Sequence, residues 1–321
     1  MGQQAAAMAA VTPGWQVIAA VAVFLVIYAV IITEKWSRAA AALAGAVIAV
    51  LLGAVGLEEA YSRHIIWRML LLLVGMMLLT GMVSRTGLFQ YAALRIVQRM
   101  KACPVRALAV LTAATAVGSA LLDNVTTVLL IVPLTISIAR VLKVSPMPYL
   151  IAEIVAVNVG GAATMIGSIP NMMIGGANPD FTFNDFLAHT GLVSLLILIL
   201  TMPILLRLYR GKLSAGKAER KELLAIDAAG AIPDRSLAVK TLVVCGLTAL
   251  GFVLHGPLSE WTGVRIEAAA VALAGATLLL FVGLKGKDVD ETLETIEWRT
   301  VVFFAGLFAV VGGLTETGVI G

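Results

Sequence analysis

The chain has 321 residues, of which 60% are hydrophobic and 13% are charged, and its formal net charge at pH 7 is +4. Soluble domains carry about a quarter charged residues, so this composition excludes an ordinary soluble enzyme. Two cysteines and three histidines, widely separated, exclude a disulfide framework and give no metal site and no cofactor site. The basic residues lie between apolar runs, which indicates a lipid bilayer rather than a nucleic acid as the partner.

Apolar runs long enough to cross a hydrocarbon core of about 30 Å occur at eight places. They are 15–33, 38–57, 67–84, 149–176, 186–206, 237–255, 264–284 and 300–320. A positively charged leader does not precede the first run, so we expect this span to be retained. Segment 88–101 places Arg95, Arg99 and Lys101 among apolar residues, which predicts a helix that lies at the membrane interface.

A polar run interrupts the apolar sequence between 107–122 and 128–142. It consists of Asp123, Asn124, Val125, Thr126 and Thr127. Each flanking stretch, about 15 residues, is short for a crossing, and polar backbone at membrane depth is tolerated only where it lines a cavity. We therefore predict a re-entrant hairpin over about 107–142. The alternative is a short polar loop between two ordinary helices, with Asp123 as the N-cap of the second.

A second unusual stretch, about 149–176, combines glycine, proline and small polar residues within one apolar run. The residues concerned are Asn158, Gly160, Gly161, Thr164, Gly167, Ser168, Pro170 and Asn171. Glycine and proline weaken a helix and free backbone groups, so we predict a broken helix that binds a solute or ion. Close helix packing through small residues is the alternative. Glu153 is either a proton-linked group or a hydrated residue near the membrane boundary.

The distribution of lysine and arginine predicts the orientation of the chain. With the N-terminus outside, and with a hairpin that does not cross, 20 of the 23 basic residues lie on the cytoplasmic side. This arrangement suits a multi-pass protein of the cell (inner) membrane. Residues 210–236 then form a cytoplasmic linker that we expect to be solvated and partly helical.

Part of the sequence is repeated at an offset of 231. Trp67-Arg68, Gly75, Gly81 and Thr86-Gly87 recur as Trp298-Arg299, Gly306, Gly312 and Thr317-Gly318. The predicted topology gives the two copies opposite directions, as in inverted-repeat secondary transporters. We expect residues 1–209 to form the first repeat and 237–321 to begin a second that lacks its hairpin and broken helix. The chain would then be a shortened or split transporter.

The sequence over 121–177, followed by FTFNDFL at 181–187, resembles the ion transporter superfamily. That superfamily contains ArsB-type arsenite permeases, NhaD-type sodium/proton antiporters, citrate transporters and the melanosomal P protein, whose branch looks nearest. The resemblance implies a scaffold domain, a mobile transport domain and a homodimer. It also implies that the hairpin tip and the unwound helix hold the substrate and the coupling ion. Many P-protein-like relatives carry an acidic residue where this chain has Ser168, which makes Asp123 the stronger candidate for ion coupling.

These features together predict an all-α polytopic membrane protein with an incomplete inverted repeat. We expect an ion-coupled secondary transporter, driven by H⁺ or Na⁺, that moves a small anion or arsenite across the cytoplasmic membrane. A sodium/proton antiporter of the NhaD type is the alternative. An intramembrane enzyme would need a nucleophile and base, paired aspartates or a zinc site, and the sequence has none of these patterns. A phosphate-binding loop is also missing, so ATP could act only through a separate ATPase subunit.

Overall fold

The computed structural model describes residues 14–178, 181–284 and 287–320, and all regular structure within them is helical. The helices of seven or more residues follow in chain order. They are α1 (Gly14–Ile32), α2 (Arg38–Leu51), α3 (Trp67–Thr86), α4 (Leu88–Arg99), α5 (Pro104–Leu121), α6 (Asn124–Val141), α7 (Met147–Ala162), α8 (Ile169–Ala177), α9 (Leu192–Tyr209), α10 (Lys217–Ala225), α11 (Arg235–Thr262), α12 (Ala268–Gly283), α13 (Lys287–Leu293) and α14 (Trp298–Glu316). A continuous helical run, Phe183–Lys212, contains α9.

Seven helices in the described residues are long and apolar enough to cross a membrane. They are α1, α3, α5, α6, the run containing α9, α11 and α14. The prediction of an all-α polytopic membrane protein is thereby confirmed. Shorter apolar helices are α2, α7 and α12, and α2 ends six residues before the predicted boundary at 57. Gly53, with a φ of +67°, turns the chain there, in a conformation that glycine adopts readily.

The two helices of the predicted hairpin are longer than the sequence indicated. Helices α5 and α6 have 18 residues each, or about 27 Å, instead of about 15 residues. The estimate of two short stretches was therefore wrong, because Pro104 begins α5 early and Asp123 caps α6 close to the turn. Re-entrance stays a prediction, since helices of this length can either turn back or cross. Helix α4, with 12 residues or about 18 Å, is too short to cross.

The chain divides into two compact units. The first contains the described residues up to Leu70 together with those from Glu297 onward. Its core is formed by small and branched side chains of α1, α2 and α14, including Ile27, Ala49 and Val310. The second unit comprises residues 71–296, and its core joins α4, α5, α6, α7 and α9.

The linker at 210–236 is part of the second unit and contributes to its core instead of being fully solvated. Leu213, Leu223 and Ala228 are buried in that unit's core. Gln98 Nε2 on α4 donates hydrogen bonds to the carbonyl oxygens of Leu223 at 3.1 Å and Ile226 at 2.8 Å. The charges of the linker suggested solvent exposure, but its apolar residues are buried: α10 packs against α6, and residues 228–231 pack against α4.

The repeated glycines make equivalent contacts in the two units. An added Cβ at Gly75 would lie 2.9 Å from Ala272 Cβ, and one at Gly306 would lie 2.7 Å from the Ala42 carbonyl carbon. Ala42 and Ala272 occupy matching positions in the repeated sequences AALAGA and VALAGA. Each glycine thus lets its helix approach the backbone of the small-residue helix that belongs to the other copy.

A second pair of repeated glycines shows the same reciprocity. Gly81 lies against Thr295, and Gly312 lies against His64. Thr295 and His64 are themselves separated by the repeat offset, three residues before Trp298 and Trp67. These matched contacts are what a duplicated helix pair would produce. The opposite orientation of the two copies in the membrane stays a prediction.

Candidate functional site

The helix predicted to be broken leaves helical geometry between Ala162 and Ile169. Helix α7 ends at Ala162, residues 163–168 form bends, and α8 begins at Ile169. Pro170 stands in the first turn of α8, where its missing N–H group removes no hydrogen bond. The sequence therefore produces a nonhelical segment within an otherwise apolar run.

The polar run at 123–127 forms the sharp connection between α5 and α6. Asp123 is the N-cap of α6, where its Oδ1 accepts a hydrogen bond from the Thr126 N–H at 2.8 Å. Thr126 Oγ1 donates to Asp123 Oδ2 at 2.6 Å. Asp123 is thus an N-cap, as that alternative expected, and its side chain is partly exposed at the tip. Whether the two helices form a re-entrant hairpin or two ordinary spans stays a prediction.

Asn124 joins this tip to the helix break. Ser119 Oγ donates to the Val157 carbonyl oxygen at 2.7 Å, which uses its only proton. The Asn124 amide is accordingly oriented with its nitrogen toward Ser119 Oγ at 2.6 Å, and it also reaches the carbonyl oxygens of Val157 and Gly167 at 3.1 Å. One side chain therefore bonds to α5, to α7 and to the nonhelical segment.

Two further side chains stabilise the nonhelical segment. Thr164 Oγ1 donates to the Ala120 carbonyl oxygen on α5 at 2.6 Å and accepts from the Gly167 N–H at 3.0 Å. Asn171 Nδ2 lies 2.8 Å from the Thr164 carbonyl oxygen and 3.2 Å from that of Ala162. These bonds satisfy backbone groups that a helix terminus leaves without partners. Side-chain hydrogen bonds therefore stabilise the helix break in this fold.

The predicted glycines allow the tip and the break to touch. A Cβ at Gly160 would overlap the Ala116 carbonyl oxygen, and one at Gly161 would overlap the Asn124 amide. A Cβ at Gly167 would lie 2.7 Å from the Ser119 carbonyl oxygen. Close packing through small residues and a broken helix, which the sequence offered as alternatives, thus occur together.

The remaining predicted residues are not brought into this hydrogen-bonded cluster. The side chains of Val125, Asn158 and Pro170 are exposed, and the Asn158 amide donates to the Ile154 carbonyl oxygen of its own helix at 2.8 Å. Ser168 is half-buried. Thr127 is fully buried, and its Oγ1 has no hydrogen-bond partner among the described residues.

Glu153 is a buried carboxyl group on α7. It is 2% exposed, and its Oε1 accepts a short hydrogen bond from Thr135 Oγ1 on α6. Its Oε2 has no partner among the described residues. The hydrated position that the sequence offered as one reading of Glu153 is therefore wrong for this conformation. Glu153 is buried because α7 packs against both α5 and α6.

Sequence reasoning missed Ser119 and Thr135. Ser119 lies within an apolar stretch, and only its position two residues before the end of α5 indicates a contact with the tip. Thr135 follows Thr127 by eight residues, which places both on one face of α6. Helical spacing of the threonines therefore carried the signal for Thr135.

Comparison with known proteins gives consistent matches. The sequence profile of the CitMHS family, described as citrate transporter, matches residues 28–321. An uncharacterized transporter of Mycobacterium tuberculosis strain H37Rv is 40% identical over 309 residues, which cover 94% of this chain and 69% of that protein. A 46 kDa membrane protein of Mycobacterium leprae is 36% identical over 304 residues, with the same coverage. The P protein of Mus musculus is 31% identical over 373 residues, which cover 94% of this chain and 44% of that protein.

Proposed function

Since this chain belongs to the CitMHS citrate transporter family, we propose that it is an ion-coupled secondary transporter that moves a small anion across the cytoplasmic membrane. This proposal rests on one observation: the Asn124 amide forms hydrogen bonds that join the hairpin tip to the helix break. Helices α6 and α8 begin at these two connections. N–H groups at helix N-termini carry partial positive charge, which favours an anion between them.

The chemistry of the cluster favours a substrate that hydroxyl, amide and backbone groups can recognise. Its hydrogen-bonding side chains are those of Ser119, Asn124, Thr164 and Asn171, and they contain no fixed cation. A coupling cation bound beside the anion would supply the missing positive charge. The family description makes citrate the first anion to test, with other carboxylates and arsenite after it.

Glu153 is our candidate for the group that carries a coupling proton. An ionised carboxylate with one hydrogen-bond partner inside a helix bundle would be a costly buried charge, whereas a protonated carboxyl is neutral. A movement that opens the contact between α6 and α7 would expose Glu153 and let it exchange its proton. Proton exchange at Glu153 would then depend on the movement of α6 and α7, the helices that form the site.

A sodium/proton antiporter is the second candidate. The Asp123 carboxylate and the Thr127 hydroxyl, which has no partner among the described residues, supply oxygen atoms at the hairpin tip. Hard cations prefer oxygen ligands of this kind. In that case the cluster would hold Na⁺ alone, with no anion beside it.

Uptake by proteoliposomes distinguishes the two functions. The purified full chain is reconstituted, and labelled citrate, other carboxylates and arsenite are offered with Na⁺ or H⁺ gradients imposed separately. Accumulation of one anion above its equilibrium level, abolished when the gradient is collapsed, supports anion transport. Exchange of Na⁺ for H⁺ with no anion accumulated would replace the proposal by the antiporter.

The proposed orientation has the N-terminus outside and the linker inside. Cysteines introduced at Lys217 on the linker and at Arg265 test it with a membrane-impermeant maleimide on whole cells. We expect labelling at position 265 alone, and labelling at 217 alone would reverse the topology.

A further inference from the structure

A buried hydroxyl group on α6, that of Thr135, is bonded to the candidate proton carrier on α7. Thr135 is completely buried, and its Oγ1 donates a hydrogen bond to Glu153 Oε1. The second carboxyl oxygen, Glu153 Oε2, has no partner among the described residues. The hydrogen bonding of this carboxyl group within the described part of the chain therefore depends on one hydroxyl.

Charged groups do not take the place of this hydroxyl. Helix α7 packs against α5, α6 and α9. Besides Glu153, the charged and titratable side chains of these four helices, together with the cap of α6, are Arg106, Asp123, Arg140, Tyr149, Arg207 and Tyr209. The three arginines are exposed, and the buried Tyr149 hydroxyl donates to the Pro104 carbonyl oxygen at 3.0 Å. Among the described residues, none of the six is bonded to Glu153.

The Thr135 hydroxyl points away from its own helix, unlike those of three other buried threonines. Thr112, Thr115 and Thr248 each donate to the carbonyl oxygen four residues earlier, at 2.7–2.8 Å. A threonine in a helix takes two side-chain rotamers, and this bond is what the second rotamer offers. For Thr135 the equivalent acceptor is the Ile131 carbonyl oxygen, but the hydroxyl bonds to Glu153 instead. Thr135 therefore has an alternative partner within α6.

Helix α6 is weakened beside this contact. Pro133, which lies inside the helix and two residues before Thr135, has no N–H group for the Leu129 carbonyl oxygen. Helices bend most readily where a hydrogen bond of this kind is missing. The part of α6 that carries Thr135 can thus move relative to the part that begins at the hairpin tip, while the hydrogen bonds of Asn124 at the tip are kept.

We propose that Thr135 is a positioning residue that controls when Glu153 keeps and when it releases its proton. This inference rests on the proposed function of Glu153 as the carrier of a coupling proton. With α6 and α7 in contact, the Thr135 hydroxyl is the hydrogen-bond partner of the protonated carboxyl group. When α6 bends at Pro133, the hydroxyl turns to the Ile131 carbonyl oxygen, and Glu153 passes its proton to water that enters between the helices. The contact opens readily because neither position leaves the hydroxyl without a partner.

Infrared difference spectroscopy of the reconstituted full chain tests the hydrogen bond itself. The carboxyl band of Glu153 is identified as the band that Glu153→Gln removes. A carboxyl group that loses a hydrogen bond absorbs at higher wavenumber, so we expect the band to move upward in Thr135→Val and to return in Thr135→Ser, which restores the hydroxyl. Thr248→Val removes a buried hydroxyl that bonds to its own helix, and it should leave the band unchanged. An unshifted band in Thr135→Val would overturn the proposal.

Transport by the same variants relates this bond to coupling. Accumulation of the labelled anion under a pH gradient should fall several-fold in Thr135→Val and recover in Thr135→Ser, while exchange of labelled for unlabelled anion continues in both. Wild-type accumulation by Thr135→Val, or no recovery in Thr135→Ser, would overturn the proposal. Failure of the proposed function is distinguishable, because it shows in the wild type. There, no accumulation under a pH gradient, or no carboxyl band that Glu153→Gln removes, would mean that Glu153 carries no coupling proton for Thr135 to position.

Discussion

Gly160 on α7 lies directly against the carbonyl group of Ala116 on α5, so that even a methyl group would overlap the carbonyl oxygen. Both partners are backbone, and no rotamer change can relieve the overlap. The contact holds α7 against α5 one turn from Ser119 and Asn124. The position of the helix break relative to the hairpin tip thus depends on the absence of one side chain.

The substitution Gly160→Ala tests this contact. We expect a loss of roughly 1–3 kcal/mol in the stability of the second unit, together with loss of transport, because α5 and α7 must separate. Gly246→Ala is the matched control, since an added Cβ there meets nothing within 4 Å. Alanine in that helix interior should stabilise by about 0.5–1 kcal/mol. Thermal unfolding of both variants in the same detergent measures the difference, and equal melting temperatures would contradict the close contact.

Asp123 has a structural role as an N-cap and a proposed role as a charge at the site. Asparagine caps helices about as well as aspartate, so Asp123→Asn should leave the melting temperature nearly unchanged while gradient-driven flux is lost. Asp123→Ala should lose both, with about 1 kcal/mol of stability from the missing cap. Melting curves and proteoliposome flux separate the two roles. Full flux in Asp123→Asn would remove this carboxylate from the mechanism.

The buried carboxyl of Glu153 gives a prediction about coupling. Glu153→Gln preserves the size and the hydrogen bond with Thr135 but cannot exchange a proton. We expect the variant to lose accumulation driven by a pH gradient while exchange of labelled for unlabelled substrate continues. Glu260→Gln, at an exposed glutamate near the end of α11, is the control. Wild-type accumulation by Glu153→Gln would show that the proton binds elsewhere.

An ion pair outside the membrane gives a prediction about pH. The pKa of Glu219 lies below its usual 4.5, first because its carboxylate bonds to its own N–H at the start of α10, and then because Lys143 Nζ donates to it at 3.3 Å. A lowered pKa means that this contribution to linker docking is present above pH 4.5. The contribution is lost as the pH falls through the lowered value.

Carboxyl NMR of the selectively labelled protein measures that pKa directly. Lys143→Gln should move the Glu219 pKa only part of the way back to 4.5, because the larger cause is the backbone hydrogen bond. Lys35→Gln should not move it. A complete return to 4.5 in Lys143→Gln would assign the whole shift to the lysine and contradict this order of causes.

The helices and the two polar segments could be predicted from the sequence because each rests on a local signal. Long apolar runs predict α3, α11 and α14, and the proline and glycines at 160–170 predict the break. Family membership could also be predicted, since the residues that carry the resemblance lie in one run. Helix lengths at the hairpin could not, because capping by Asp123 extends α6 into a segment that composition assigns to the loop.

The contacts between distant residues could not be predicted. The bonds from Asn124 to Val157 and Gly167 join positions more than thirty residues apart, and one sequence gives no measure of that proximity. The linker shows a second limit. Its charges indicated solvation, whereas burial of Leu223 and the acceptance of hydrogen bonds from Gln98 depend on α4 lying beside it. The sequence showed that Gly75 and Gly306 are repeated positions. It did not show which residues each glycine packs against.

We propose that the hairpin tip and the helix break form one substrate site, which Asn124 holds together. Gradient-driven uptake of the transported anion by Asn124→Ala proteoliposomes tests this site most directly. Asn178→Ala is the control, since the exposed Asn178 amide donates, among the described residues, only to the Ile174 carbonyl oxygen of the preceding helix. We predict that Asn124→Ala abolishes uptake and substrate-dependent thermal stabilisation, while Asn178→Ala retains both. Wild-type uptake and stabilisation by Asn124→Ala would contradict the claim.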